Sequence, residues 1–253
     1  MKKLMLLFIV PLLSFGQQSK NYKARPDNVI SGHVKTGGQL NKESVVLIPN
    51  VPSYLWHRGC GPTCLGMVVG YYDNLGYQDL IPGFSNFQNE DINNCIASDE
   101  HYNNYSMPLD NFPNILEDAS SIGGAHDNNC IADFMNTSFS LFGNYWGWSW
   151  SSDIGGAFID YVNFKNEAYE TSSNYYINMG FNTWITYVEE INANRPTILL
   201  VDSDGDGETD HFLVGIGYDA SNSSALEFAA YDTWDNEIHW YSWQQLGFGV
   251  DWG

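Results

Sequence analysis

Four cysteines and six histidines carry the nucleophilic chemistry open to this chain of 253 residues, and one of each stands out. Cys60 lies in WHRGCGPTCLGM, between Gly59 and Gly61, which let the backbone turn sharply and a substrate come close. Helix signals begin at once: Pro62 suits a first turn, Leu65, Val68, Val69 and Tyr72 make an i, i+3, i+4, i+7 stripe, and Gly76 is a stop. A thiol in the first turn faces the unsatisfied amides and the positive dipole end of the helix, which lowers its pKa and favours the thiolate. Such a nucleophile needs a base. His211 is the best placed, because it opens a strand after an acidic loop and has small residues beyond it on its own face. A carboxylate should hold the other ring nitrogen. Asp232, before Thr233 and Trp234, is the first choice, with Asp219 and Asp235 behind it. Cys64, one turn after Cys60, reads as a small buried residue, with geometry for neither a disulfide to Cys60 nor a metal pair.

A second chemistry is written in DSDGDGETD, residues 202–210. Carboxylates at Asp202, Asp204, Asp206 and Asp210, with Gly205 and Gly207 where a turn needs positive φ, fit a loop around one hard cation, and Ca²⁺ is the expected ion. An EF-hand would need a bidentate Glu at the twelfth position, which is Leu213, and flanking helices, whereas this loop joins two strands. The loop ends where His211 begins, so a bound ion would fix the register of the histidine strand. His101 and His126, beside acidic residues, leave room for a second metal site. The aromatic run Tyr145 to Trp150 reads as packing more than as a substrate groove.

Elements that position these residues can be read around them. Residues 17–44 are polar, a leader or edge segment, and VVLIPNV (45–51) reads as a strand. The helix of 60–76 should bury one face. Residues 78–182, rich in Asn, Gly and Ser, predict loops with short helices, one near 129–135. TWITYVEEINA (183–193) predicts a helix stopped before Arg195-Pro196. Strands at 197–201, 211–218, 226–231 and 237–243 then make an antiparallel meander, so the class is α+β with one domain over 45–253.

The first residues decide the compartment. MKKLMLLFIVPLLSFG has two lysines, an apolar run too short to span a bilayer, and a small-x-small site, which reads as an export signal over residues 1–16. The protein is therefore expected to be secreted or periplasmic and, once cleaved, free of the membrane. Loss of Lys2 and Lys3 leaves 8 basic against 30 acidic residues, so the charge moves from -20 to -22. That excludes nucleic acid and anionic lipid as partners. Nine Trp, sixteen Tyr and fourteen Phe exclude disorder. A monomer acting on a peptide or protein substrate is expected. With Cys60 free, a Cys95–Cys130 disulfide could pin the irregular middle segment, pairing of Cys64 with either being the alternative.

The order Cys, then His about 150 residues on, then an Asx-type residue is that of papain-like hydrolases. GCGPTCLGMVVGYYD (59–73), RPTILLV (195–201), DHFLVGIGYD (210–219) and YDTWD (231–235) together resemble the C39-like cysteine peptidases of the papain-like superfamily, and CIADFMNTS (130–138) resembles their exported bacterial subset. The resemblance implies a papain-like α+β fold, with Cys60 as nucleophile, His211 as general base and Asp232 as its orienter, hydrolysing an amide through an acyl-enzyme. The family usually carries a Gln six residues before the Cys as oxyanion donor, and here that position is Tyr54. Tyr54 or His57 could donate in its place, beside the Cys60 amide. The alternatives are an acyltransferase or non-peptide amidase on the same triad, or a catalytically inactive, calcium-stabilised binding module.

Overall fold

The computed structural model describes residues 3–9, 25–104, 127–137, 147, 149–176 and 181–253. In chain order the elements are β1 (Lys3–Ile9), α1 (Gly37–Leu40), β2 (Val45–Leu47), α2 (Cys60–Asn74), α3 (Glu90–Ile96), α4 (Asp99–Asn104), α5 (Ile131–Phe134) and α6 (Asp153–Lys165). β3 (Glu170–Tyr176), α7 (Phe181–Asn192), β4 (Thr197–Val201), β5 (His211–Asp219), β6 (Glu227–Tyr231) and β7 (His239–Ser242) follow. Helices and a largely antiparallel sheet make the fold α+β.

The sheet runs β3-β1-β4-β5-β6-β7. From β4 to β7 it is the antiparallel meander that the alternation of residues predicts, with Val201 opposite His211 and Gly215 opposite Ala230. β4 pairs with the first half of β5 and β2 with the second half, leaving the other edge of β5 to β6. A bulge between Gly215 and Gly217 sets Ile216 out of the β6 ladder.

β1 is a departure from the sequence reading. The apolar run expected to act as an export signal lies as a strand, parallel to β3 from Lys3↔Glu170 to Ile9↔Tyr176 and to β4 at Leu7↔Thr197. An extended apolar segment satisfies its backbone groups between two strands. Removal of residues 1–16 would leave β3 without a partner and β4 with an open edge. Residues 10–24, with the cleavage position, lie outside the described residues.

α2 starts at Cys60 as read, but its environment differs. Instead of one buried face, every residue from Cys60 to Tyr72 is buried. The helix packs on β5, α3, α5 and α6, so it is the centre of the molecule. The segment read as irregular holds the thirteen-residue α6 and the strand β3. The leader is not an edge strand in its described part. It runs as a strap with one isolated bridge, His33 to Trp240, and the short α1. Lys35, buried, pairs with Asp219 and Glu227 at the far end of the meander.

Candidate active site

Cys60 opens α2 through a turn that only unusual backbone angles allow: Arg58 has φ 55 and Gly59 φ 146. Several bonds fix it. The Thr63 hydroxyl and amide donate to the Gly59 carbonyl at 2.6 and 3.1 Å, and the Trp56 amide donates to the Thr233 carbonyl at 2.7 Å, tying the approach to α2 to the turn after β6. The Arg58 guanidinium donates to the Ser98 carbonyl at 2.6 Å. Gly147 crosses this turn so closely that a Cβ there would stand 2.0 Å from the Arg58 carbonyl oxygen. Within the aromatic run, Gly147, Ser149 and Trp150 are described and 145, 146 and 148 are not. Cys60 is 1% exposed beneath this cover.

His211 begins β5 on the neighbouring strand surface. The two residues next in sequence to the pair touch: Phe212 Cδ2 stands 3.4 Å from where a Cβ on Gly61 would lie. The imidazole stacks on Trp234, ring centroids 3.9 Å apart at 5°. Its Nε2 lies 2.6 Å from the main-chain carbonyl of Asp232. A carbonyl only accepts, so this partner assigns the ring hydrogen to Nε2 and leaves a lone pair on Nδ1. Nδ1 has no hydrogen-bond partner among the described residues. Burial pushes the imidazole pKa down to about 4 against the pull of Asp232, so the ring is neutral at pH 7.

The carboxylate of Asp232 was expected to hold the ring, whereas in the structure it is the main-chain carbonyl of Asp232 that meets it. The carboxylate, wholly buried, accepts from the Trp234 amide at 3.0 Å, the Tyr241 hydroxyl at 3.1 Å and Arg25 Nη2 at 3.3 Å. Side-chain type can be read from sequence, but which oxygen of an Asp faces a ring depends on the turn, here one with Thr233 at φ 69. The weaker candidates are engaged elsewhere: Asp219 with Lys35, Ser44 and Ser221, and Asp235 with Arg25 and His239.

Both side-chain oxyanion candidates turn away. Tyr54 is fully buried with its hydroxyl donated to the Ser85 carbonyl, lying in the notch over Gly70. Gly70 is ten residues into α2 from Cys60, about 15 Å along the axis. His57 Nε2 meets the Ala97 carbonyl at 3.1 Å. The structure draws no Cys95–Cys130 disulfide, and all four cysteines are buried. Cys130 donates to Asp133 at 3.2 Å, and Cys95 is hydrogen-bonded with Tyr161. Burial raises the pKa of Cys64 and Cys95 and pushes that of Cys130 up to about 12.

The acidic loop brings together three of its four aspartates: ligand atoms of Asp202, Asp204 and Asp206 lie within 4.8 Å of one another. Asp210 is not in that cluster. Its carboxylate accepts from the Ser203 amide at 2.7 Å and hydroxyl at 2.8 Å, closing the base of the loop, and burial raises it to about 7. Asp251, which sequence reading missed, brings its carboxylate over Gly205. Of the second metal candidates, His126 lies outside the described residues. His101 Nδ1 meets Asp133 at 2.7 Å beside Cys130. Asp133 also accepts from two amides at the start of α5, so it caps that helix.

The fold is α+β, with a thiol at the start of a helix that packs on the strand beginning at a neutral imidazole, His211. The chain belongs to the Peptidase_C39 like family, whose model matches residues 48–250. No curated protein and no solved structure matches it. Among the described residues no helix is long and apolar enough to cross a membrane.

Proposed function

We propose that the protein is a secreted or periplasmic, monomeric cysteine peptidase of papain-like fold, released by removal of residues 1–16. The observation that carries the reading is the His211 imidazole: neutral, fixed through Nε2, with Nδ1 unpartnered among the described residues, on the strand against which α2 packs. In this reading Cys60 Sγ attacks the scissile carbonyl as its proton passes to Nδ1. The oxyanion takes the Cys60 amide at the helix start. Collapse expels the amine, which leaves with the proton from Nδ1, and a water deprotonated by Nδ1 then hydrolyses the acyl-enzyme. The imidazolium formed in each half is stabilised by the Asp232 carbonyl and nearby carboxylate.

Asp202, Asp204 and Asp206 would hold a calcium ion, whose part is to neutralise a loop of crowded carboxylates and hold the strand that begins at His211. Burial, with the Asp206 and Asp204 carboxylates close by, raises the Asp202 pKa, and a cation among the three would relieve that repulsion. A second reading, an inactive binding module, is favoured by one observation: Tyr54 stands where the family has its Gln, and its hydroxyl is committed to Ser85.

A peptide library digested by wild-type protein and by Cys60→Ala separates the two. The expected result is cleavage by wild type and a loss of at least ~10³-fold in the variant. Iodoacetamide should label Cys60, in the first turn of α2, faster than the other three thiols, whose pKa burial raises. Equal products from Cys60→Ala, or no cleavage and no labelling, would sink the peptidase.

A further inference from the structure

Arg25 lies in the N-terminal strap, 207 residues from Asp232 in sequence, yet its guanidinium sits on the turn that holds His211. Nη2 is 3.3 Å from Asp232 and 3.2 Å from Asp235, and the guanidinium carbon is 5.6 Å from the centroid of Trp234, the ring on which His211 stacks. Asp232, Asp235 and His239 bring their ligand-type atoms within 4.8 Å of one another, an arrangement that asks for a cation, and the guanidinium is the cation there. His239 bridges the pair, 2.8 Å from Asp235 and 3.7 Å from Asp232. The strap is anchored around the same turn, since Trp252, edge-on to Trp234, donates its indole N–H to the Ile30 carbonyl at 2.8 Å.

We propose that Arg25 is a positioning residue of the active site. By neutralising Asp232 and Asp235 and lying against Trp234, it fixes the 232–235 turn, and through that turn the carbonyl and the indole that aim Nδ1 of His211. Two carboxylates this close would otherwise repel, and a wholly buried one without its cation draws the turn toward water. The inference rests on the cysteine-peptidase reading. It gives the N-terminal segment, which the sequence reads as a leader or edge segment, a role in building the site.

The test uses full-length protein and a peptide that wild type cleaves and Cys60→Ala does not. Arg25→Met is expected to lower kcat by 10- to 100-fold with KM changed less than about threefold, because a displaced base costs rate more than binding. Arg25→Lys, which keeps the charge but not the fork, should recover a large part of kcat. Arg25→Met with Asp235→Asn should recover part of it by removing the repulsion, and this pair decides the matter if Arg25→Met alone does not fold. Lys35→Met breaks another buried ion pair of the same strap, away from the turn, and should lower the thermal midpoint without lowering kcat. A folded Arg25→Met at wild-type kcat overturns the inference, as does a Lys35→Met that loses kcat equally or an Arg25→Lys no better than Arg25→Met. Wild-type protein without Cys60-dependent turnover overturns the peptidase reading, and this inference with it.

Discussion

His211 is neutral because it is buried, and that has a consequence for stability as well as chemistry. Its folded pKa of about 4 lies below the ordinary 6.5, so protonation opposes folding. Its contribution is present in full above pH 6.5 and is lost as pH falls through that value toward 4, on the order of 3 kcal/mol in all. Carboxylates held low act in a different window. His101 and the Asn129 amide outweigh the burial of Asp133, and Lys35 and Ser221 that of Asp219, holding each near 2, so their contributions are lost below about pH 4. Asp210, raised to about 7 by burial, gains stability on protonation over the same range in both proteins, so between pH 7 and pH 4.5 denaturant titrations should show wild type losing more, or gaining less, than His211→Gln. Equal changes would mean that the imidazole is not the group that titrates.

The packing of α2 depends on a glycine that faces a tyrosine. A Cβ at Gly70 would stand 2.3 Å from the Tyr54 hydroxyl, and Tyr54 is wholly buried with its hydroxyl committed to Ser85. Ala ordinarily gains about 1 kcal/mol over Gly inside a helix, whereas overpacking costs about 1–3. A 2.3 Å approach to a side chain that cannot move puts the cost toward the upper end, so Gly70→Ala should lose up to about 2 kcal/mol by thermal or denaturant unfolding. Adding Tyr54→Phe should return part of that loss. This notch also explains why the sequence misplaced the oxyanion donor: Tyr54 has the right offset from Cys60, but Gly70 gives its ring a place along the helix. Legibility followed periodicity. The start of α2 and the meander β4 to β7 were readable from apolar spacing and from the breaks around them. α6 was hidden because SSDIGGAFIDYVNFK carries two glycines and an Asn within the helix, and β3 because ETSSNYY has no apolar alternation and is mostly exposed. Arg25 gave no signal at all, being one basic residue in a polar stretch whose partners lie more than two hundred positions away.

Charge acts on the molecule as a whole. Thirty acidic residues against ten basic ones leave a self-repelling surface, and three of those carboxylates converge on the loop that leads into β5. If that loop takes Ca²⁺ with the 10⁻⁴ to 10⁻³ M affinity of extracellular sites, 10 mM Ca²⁺ should stabilise the fold by about 1.4–2.7 kcal/mol, or roughly 3–10 °C in thermal midpoint. Chelation should reverse the shift, and Asp204→Asn with Asp206→Asn should remove it. A midpoint indifferent to Ca²⁺ would leave the loop an ordinary acidic turn.

The clamp between Arg25 and the 232–235 turn also sets an order in time. At 5–20 residues per second, the 207 residues between its two halves take roughly 10–40 s to make, whether the chain folds as it is synthesised or as it emerges through a membrane, N-terminus first. From the synthesis of Cys60, 35 residues after Arg25, to the end of that interval the thiol exists and the clamped turn does not. In the peptidase reading, a chain stalled before the turn carries the thiol without a completed pair.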